Sequence, residues 1–218
     1  MTGSNDQEAI ARIGRAVLEG DDESAAELTQ HAVTNGVAAS AILEDALISS
    51  MDIVGREYEE GARFVPEMLI SAEAMKAAMA VLEPFLASEG SEPRGIIAIG
   101  TVEGDLHDIG KNLVAVMFEG AGFRVIDLGV EVTADVYCEA VRKHRPDILA
   151  LSALLTTTMI HIPDVLKALT IGGLRDQVKV LIGGAPITQA YADEVGADGY
   201  APDAASAVKV AVRLAEKP

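Results

Sequence analysis

Asp105, His107 and Gly110 stand at a spacing that could present a metal ligand, within the run Glu103-Gly104-Asp105-Leu106-His107-Asp108-Ile109-Gly110-Lys111-Asn112. A neutral imidazole is a good ligand for cobalt and other borderline metals, and its second ring nitrogen needs an acceptor to fix the tautomer. Asp105, two residues before His107, could be that acceptor. A polar loop capping a helix is the plain alternative for an isolated Asp-x-His. Two further stretches bear on the choice. Ser152-Ala153-Leu154-Leu155-Thr156-Thr157-Thr158 is rich in hydroxyls, which are compact donors and acceptors. Gly183-Gly184-Ala185-Pro186 offers glycines that let backbone approach a bulky ligand. Brought together, the three stretches could hold a large, partly apolar cofactor with a nucleotide-like tail.

The elements that must bring them together are legible from periodicity. Apolar strand candidates lie at 95–100, 123–128, 147–152, 178–183 and 199–201, with helix patterns at 109–121, 134–144, 158–171, 187–195 and 203–216. Alternation of this kind predicts a Rossmann-like, doubly wound five-stranded parallel sheet. Near-continuous apolar strands agree, because parallel strands are buried on both faces. Each chemical stretch follows a strand, at the carboxyl end where open α/β sheets bind ligands, and a flavodoxin-like order would gather all three into one crevice. Residues 1–90 read as four amphipathic helices, a helical bundle. The first ends at Gly20, the second is capped by Asp21 or Asp22, the third runs from about Val37 to Glu60, and the fourth starts near Pro66. The fourth carries Met68, Leu69, Ala72, Met75, Met79, Leu82 and Phe85. The polar segment Ala87–Pro93 reads as a linker, dividing a helical domain (1–90) from an α/β domain (91–218).

Bulk properties narrow the function. A net charge of −17 opposes nucleic acid and anionic membranes as partners. The single cysteine excludes an internal disulfide and fits a reducing cytoplasm. No signal peptide or spanning apolar run is visible.

The three motifs in order, with 41 residues between Gly110 and Ser152 and 28 between Leu154 and Gly183, resemble the cobalamin-binding module of methionine synthase. Glu57–Pro66 and Ser71–Met75 resemble the helical cap over the corrin ring in such proteins. The two-domain form is similar to the corrinoid proteins of methylamine, methanol and methoxy-compound methyltransferase systems. The resemblance implies a cobalamin or related corrinoid bound base-off. His107 would be the lower cobalt ligand and Asp105 its hydrogen-bond acceptor. Thr158 falls where methionine synthase has the serine that completes the relay. Ser152, Leu154, Thr156, Gly183, Gly184 and Ala204 would line the slot for the displaced nucleotide tail. Gly104 and Asp108 would flank the ligand. Glu44, Tyr58 and Val65 match positions of the cap near the upper face, where methionine synthase has Phe and Leu at the last two.

The function so implied is a methyl carrier, not a complete enzyme. It would accept a methyl group on cobalt(I) from a substrate-specific methyltransferase. It would then present methyl-cobalt(III) to a second methyltransferase with a folate-type or thiol acceptor, and a reductive activation protein would maintain it. Two rival classes share parts of the pattern. Small mutase subunits carry Asp-x-His-x-x-Gly but lack a helical cap. A cobalamin-based sensor is the other; one acting on DNA would need a basic DNA-binding module that this chain does not show, and one acting otherwise stays an alternative. His31, His144, His161 and Cys138 stand at no ligand spacing and read as structural or solvated.

Overall fold

The computed structural model describes residues 3–90 and 93–216. The chain divides into two compact units, Met1–Pro93 with Glu119–Gly122, and Arg94–Phe118 with Phe123–Pro218. No helix among the described residues is long and apolar enough to cross a membrane.

The helical unit contains α1 (Gly3–Glu19), α2 (Asp22–Thr34), α3 (Ala39–Ile42), α4 (Ser49–Glu59) and α5 (Val65–Glu89). Asp21 caps α2, its carboxylate accepting from the Ser24 N–H at 2.9 Å and the Ser24 hydroxyl at 2.7 Å. Ile13, Val17, Ile42, Leu47, Val54, Met68 and Leu82 are fully buried and form its core. Three details depart from the sequence pattern. The third helix is not uniform: a π-helical stretch, Leu43–Ile48, joins α3 to α4. Leu69 and Phe85, placed on the apolar pattern of the fourth helix, are 39% and 36% exposed. The helix is apolar on most of its circumference, so periodicity alone does not mark its buried side. Residues Ala87–Glu89 of the expected linker form the end of α5. The reason is chemical: the Glu89 carboxylate accepts from the N–H groups of Ala39 (2.8 Å) and Ser40 (3.1 Å), capping α3 where Ala38 supplies no side-chain cap. Gly90, at φ 69°, follows in the left-handed conformation that closes a helix. Ser91 and Glu92 of that linker lie outside the described residues.

The second unit is a parallel sheet of β1 (Ile96–Thr101), β2 (Arg124–Asp127), β3 (Ile148–Ser152), β4 (Lys179–Gly183) and β5 (Gly199–Ala201), in the order β2-β1-β3-β4-β5. Between and after the strands run α6 (Ile109–Gly120), α7 (Ala134–His144), α8 (His161–Ile171), α9 (Gln189–Val195) and α10 (Ala204–Ala215). Ile97, Ile148, Leu149 and Val180 are fully buried. Burying each such side chain contributes about 1.5–3 kcal/mol. Thr133, Thr188 and Asp203 cap α7, α9 and α10 through their side chains. The flavodoxin-like order puts the topological switch between β1 and β3, where successive connections leave on opposite faces and open a crevice. Helix α8 starts at His161, three residues later than periodicity predicts. The chain before it is held in turns, with Thr158 and Met159 both donating to the Leu155 carbonyl.

Candidate functional site

Asp105, His107 and Thr158 meet at that switch point. Asp105 follows β1 on a turn that Gly104 makes at φ 76°. Its carboxylate has no solvent exposure and collects four donors. Oδ1 accepts from the His107 Nδ1–H at 2.6 Å and the His107 backbone N–H at 3.1 Å. Oδ2 accepts from the Leu154 N–H at 2.8 Å and the Thr158 hydroxyl at 2.7 Å. Burial by itself would raise the carboxyl's pKa. The hydrogen bonds from Thr158, Leu154 and His107 outweigh it and hold the group well below the usual carboxylate range. An ionised carboxylate accepts only, so the proton between the two side chains is on Nδ1, and in the neutral ring the lone pair is on Nε2. The His107 side chain is 49% exposed.

Around this imidazole the surface is apolar. Leu106 is 67% and Ile109 84% exposed, and Leu154, Leu155 and Ile160 of the loop after β3 are exposed too. Large apolar side chains so open to water on neighbouring segments mark an interaction surface, for a ligand or a partner.

The remaining candidates fall into place strand by strand. Thr101 pairs with Ser152, and Ser152 with Gly183, so the hydroxyl-rich stretch lies between the histidine loop and the Gly-Gly loop. Gly183 pairs with Ala201 on β5, just before Ala204 opens α10. Gly184 adopts φ 132°, and a Cβ there would collide with the backbone carbonyl of Ala153. That close approach of two loops requires glycine. Gly110 is different: a Cβ there would meet nothing within 4 Å. Asp108 caps the start of α6, its carbonyl accepting from the Asn112 N–H at 2.7 Å. Thr156 is exposed in the loop after β3. Glu44 is exposed on the π-helical stretch, while Tyr58 in the last turn of α4 and Val65 at the start of α5 are half-buried.

Some contributions escaped sequence reasoning. Leu154, expected in the slot for the nucleotide tail, bonds Asp105 through its backbone N–H, which no side-chain motif reveals. Lys111 is almost fully buried, its ammonium between Asp127 (2.7 Å to each oxygen) and Asn112 (2.6 Å), tying α6 to the end of β2. His31, His144 and His161 stay outside this constellation. His31 bonds Asn35, His161 lies 3.4 Å from Asp164, and His144 ends α7. Cys138 is buried, and burial pushes its thiol pKa up, away from the reactive thiolate.

Among the described residues no cluster of three His, Cys, Asp or Glu side chains could hold a metal ion.

Comparison with known proteins points the same way. A B12 binding domain family matches residues 95–209, and a second B12 binding domain family matches residues 9–83. The chain is 43% identical to a corrinoid protein of Desulfitobacterium hafniense (strain Y51), over 95% of this chain and 98% of that one. It is 41% identical to trimethylamine corrinoid protein 2 of Methanosarcina mazei, again over 95% of this chain and 98% of that one. Among solved structures, the methanol:cobalamin methyltransferase complex of Methanosarcina barkeri matches with a TM-score of 0.84 at 32% identity, covering 95% of this chain and 80% of that chain.

Proposed function

This chain belongs to the B12-binding corrinoid proteins, and on that premise we propose that it is the methyl carrier of a corrinoid methyltransferase system, with His107 as the axial ligand of a base-off corrinoid. One observation carries the reading: a half-exposed imidazole whose Nδ1–H is fixed by a fully buried, fully bonded carboxylate, with Nε2 in no hydrogen bond among the described residues. When bound, a corrinoid supplies a cobalt centre that takes up a methyl group when reduced and releases it to an acceptor.

The chain's residues hold, orient and shield. Asp105 and Thr158 keep the imidazole in one tautomer and one orientation. Leu106, Ile109, Leu154 and Leu155 offer apolar surface to a macrocycle. Gly104 and Asp108 shape the ligand turn, and Gly110 leaves space beside it. Ser152, Leu154, Thr156, Gly183, Gly184 and Ala204 line the proposed slot for the displaced nucleotide tail. Glu44, Tyr58 and Val65 are proposed corrinoid contacts contributed by the helical unit. The match of residues 9–83 to a B12 binding domain family weighs against a small mutase subunit. The kinship with methylamine corrinoid proteins and with the methanol methyltransferase complex supports a substrate-specific methyltransferase as first partner. A second methyltransferase with a folate-type or thiol acceptor and a reductive activation protein complete the proposed set, in a cytoplasmic setting.

The test is reconstitution of the full chain with a corrinoid. The purified protein should hold about one corrinoid, and the paramagnetic resonance spectrum of its cobalt(II) form should show splitting by one axial nitrogen. His107→Ala should lose that splitting. Retention of it would refute the ligand assignment. Rapid demethylation of methylamines or methanol by the isolated chain would refute the carrier role.

A further inference from the structure

We infer that Thr101 is a positioning residue for the axial histidine, holding the main chain of His107 as Asp105 holds its ring. The inference rests on the corrinoid reading above. Thr101 ends β1 and is fully buried, and its hydroxyl donates to the His107 carbonyl at 2.8 Å. The hydroxyl stands on a fixed support. The Thr101 N–H donates to the Gly129 carbonyl at 3.0 Å, its own carbonyl accepts from the Val132 N–H at 2.9 Å, and it pairs with Ser152 on β3. A β-branched side chain on such a backbone has little rotamer freedom.

His107 is thereby held at every polar group but one. Its N–H and Nδ1–H go to Asp105, its carbonyl to Thr101, and Nε2 is left for the ligand. The neighbouring loop adds a matching hold on the other member of the pair. The Glu131 N–H donates to the Asp105 carbonyl at 3.1 Å, from a residue at φ 52°. A left-handed glutamate is uncommon and is maintained only where the surroundings enforce it. Two main-chain anchors thus converge on the ligand and its acceptor. Without the Thr101 hydroxyl, the His107 carbonyl loses a donor and the loop can relax away from the position that presents Nε2.

The experiment uses the full, corrinoid-loaded chain and compares Thr101→Val, Thr101→Ala and Thr101→Ser with wild type and His107→Ala. The readouts are the ratio of nitrogen-split to unsplit cobalt(II), the cobalt(II)/cobalt(I) midpoint potential, and the melting temperature without corrinoid. Thr101→Val should lower the ratio about fivefold, the weight of one neutral hydrogen bond, and raise the midpoint, because the ligand-free state is easier to reduce. Thr101→Ala should do the same, and serves if the valine variant does not fold. Thr101→Ser should restore both readouts. If the valine and alanine variants melt earlier yet keep the wild-type ratio and midpoint, Thr101 is a staple and the inference falls. If His107→Ala retains nitrogen splitting, the corrinoid-ligand reading falls instead.

Discussion

On the α/β unit, Asp105 gathers donors from three other residues, and each of those residues is fixed by a strand end or a turn. On the helical unit, Glu44, Tyr58 and Val65 stand on helix surfaces, and among the described residues no side-chain hydrogen bond joins them. The difference bears on two proposed ways of holding a cofactor, each within its own unit. A ligand atom must be held to within a fraction of an ångström, which takes mutually satisfied, buried hydrogen bonds on rigid elements. Residues whose proposed contacts with a cofactor are to be made and broken need no preformed hydrogen-bond network of their own. Substitutions on the α/β side should therefore act sharply and in proportion to the bond removed.

The largest effect is expected where that rigidity is made by backbone. Gly184→Ala would drive a methyl group into the Ala153 carbonyl from a left-handed backbone position. It should cost roughly 3 kcal/mol or more of unfolding free energy and release the corrinoid as well. Gly110→Ala provides the contrast. It meets open space in the first turn of α6, so the corrinoid-free protein should be unchanged or more stable by up to about 1 kcal/mol. If a macrocycle occupies that space, corrinoid affinity should nonetheless fall on the order of tenfold. Denaturant titration and corrinoid binding measured on the same two variants decide it. Unchanged affinity in Gly110→Ala would place the ring elsewhere.

Asp105→Asn comes next. An amide offers one acceptor oxygen and one donor nitrogen, so two of the four donors around Asp105 would lose their acceptor. A loss of about 2–4 kcal/mol follows from buried donors left unmet, with a fall in histidine-ligated cobalt(II). Acid stability adds a second signature. The folded state holds this carboxyl below its ordinary pKa of 3.8, so on acidification the unfolded chain takes up the proton first. Its stabilising contribution is complete above about pH 4 and drains away as pH falls further. The variant's unfolding free energy should accordingly change less steeply than wild type between about pH 4 and pH 2. Equal slopes would show that Asp105 is not held ionised by its partners.

Much of this geometry was legible in advance, for definite reasons. The strands Ile96–Thr101 and Ile148–Ser152 are apolar runs ended by Thr and Ser, so type and position followed from composition. Asp-x-His could be read because two residues on one turn can share a hydrogen bond. Thr158 could be placed only through the spacing shared with methionine synthase. What could not be read was backbone chemistry: the Leu154 N–H, the Glu131 N–H and the Thr101 contact to a carbonyl carry no residue signature until the chain is folded. The buried face of α5 was equally hidden, since an apolar helix has no polar side to exclude. The reach of Glu89 to α3 depends on contact across 50 residues.

The smallest effects belong to Thr158, where hydroxyl and methyl can be separated. The hydroxyl lies 2.7 Å from Asp105 and 3.1 Å from the Leu155 carbonyl, and its single proton goes to the charged acceptor. The methyl is buried on the side facing Gly104, 3.8 Å from where a Cβ there would stand. Thr158→Val keeps the methyl and removes the bond. It should lower histidine-ligated cobalt(II) by a factor that one hydrogen bond of about 1 kcal/mol sets, near fivefold. Thr158→Ser keeps the bond and removes the methyl. It should lower the unfolding free energy by about 0.8 kcal/mol while leaving the ligated fraction as in wild type. Thr158→Ala should show both losses, since it removes both groups. The pattern of the three variants matters more than any one value. If serine lowers the ligated fraction while valine leaves it as in wild type, Thr158 acts by filling space, and the carboxylate needs only Leu154 and His107 to orient the imidazole.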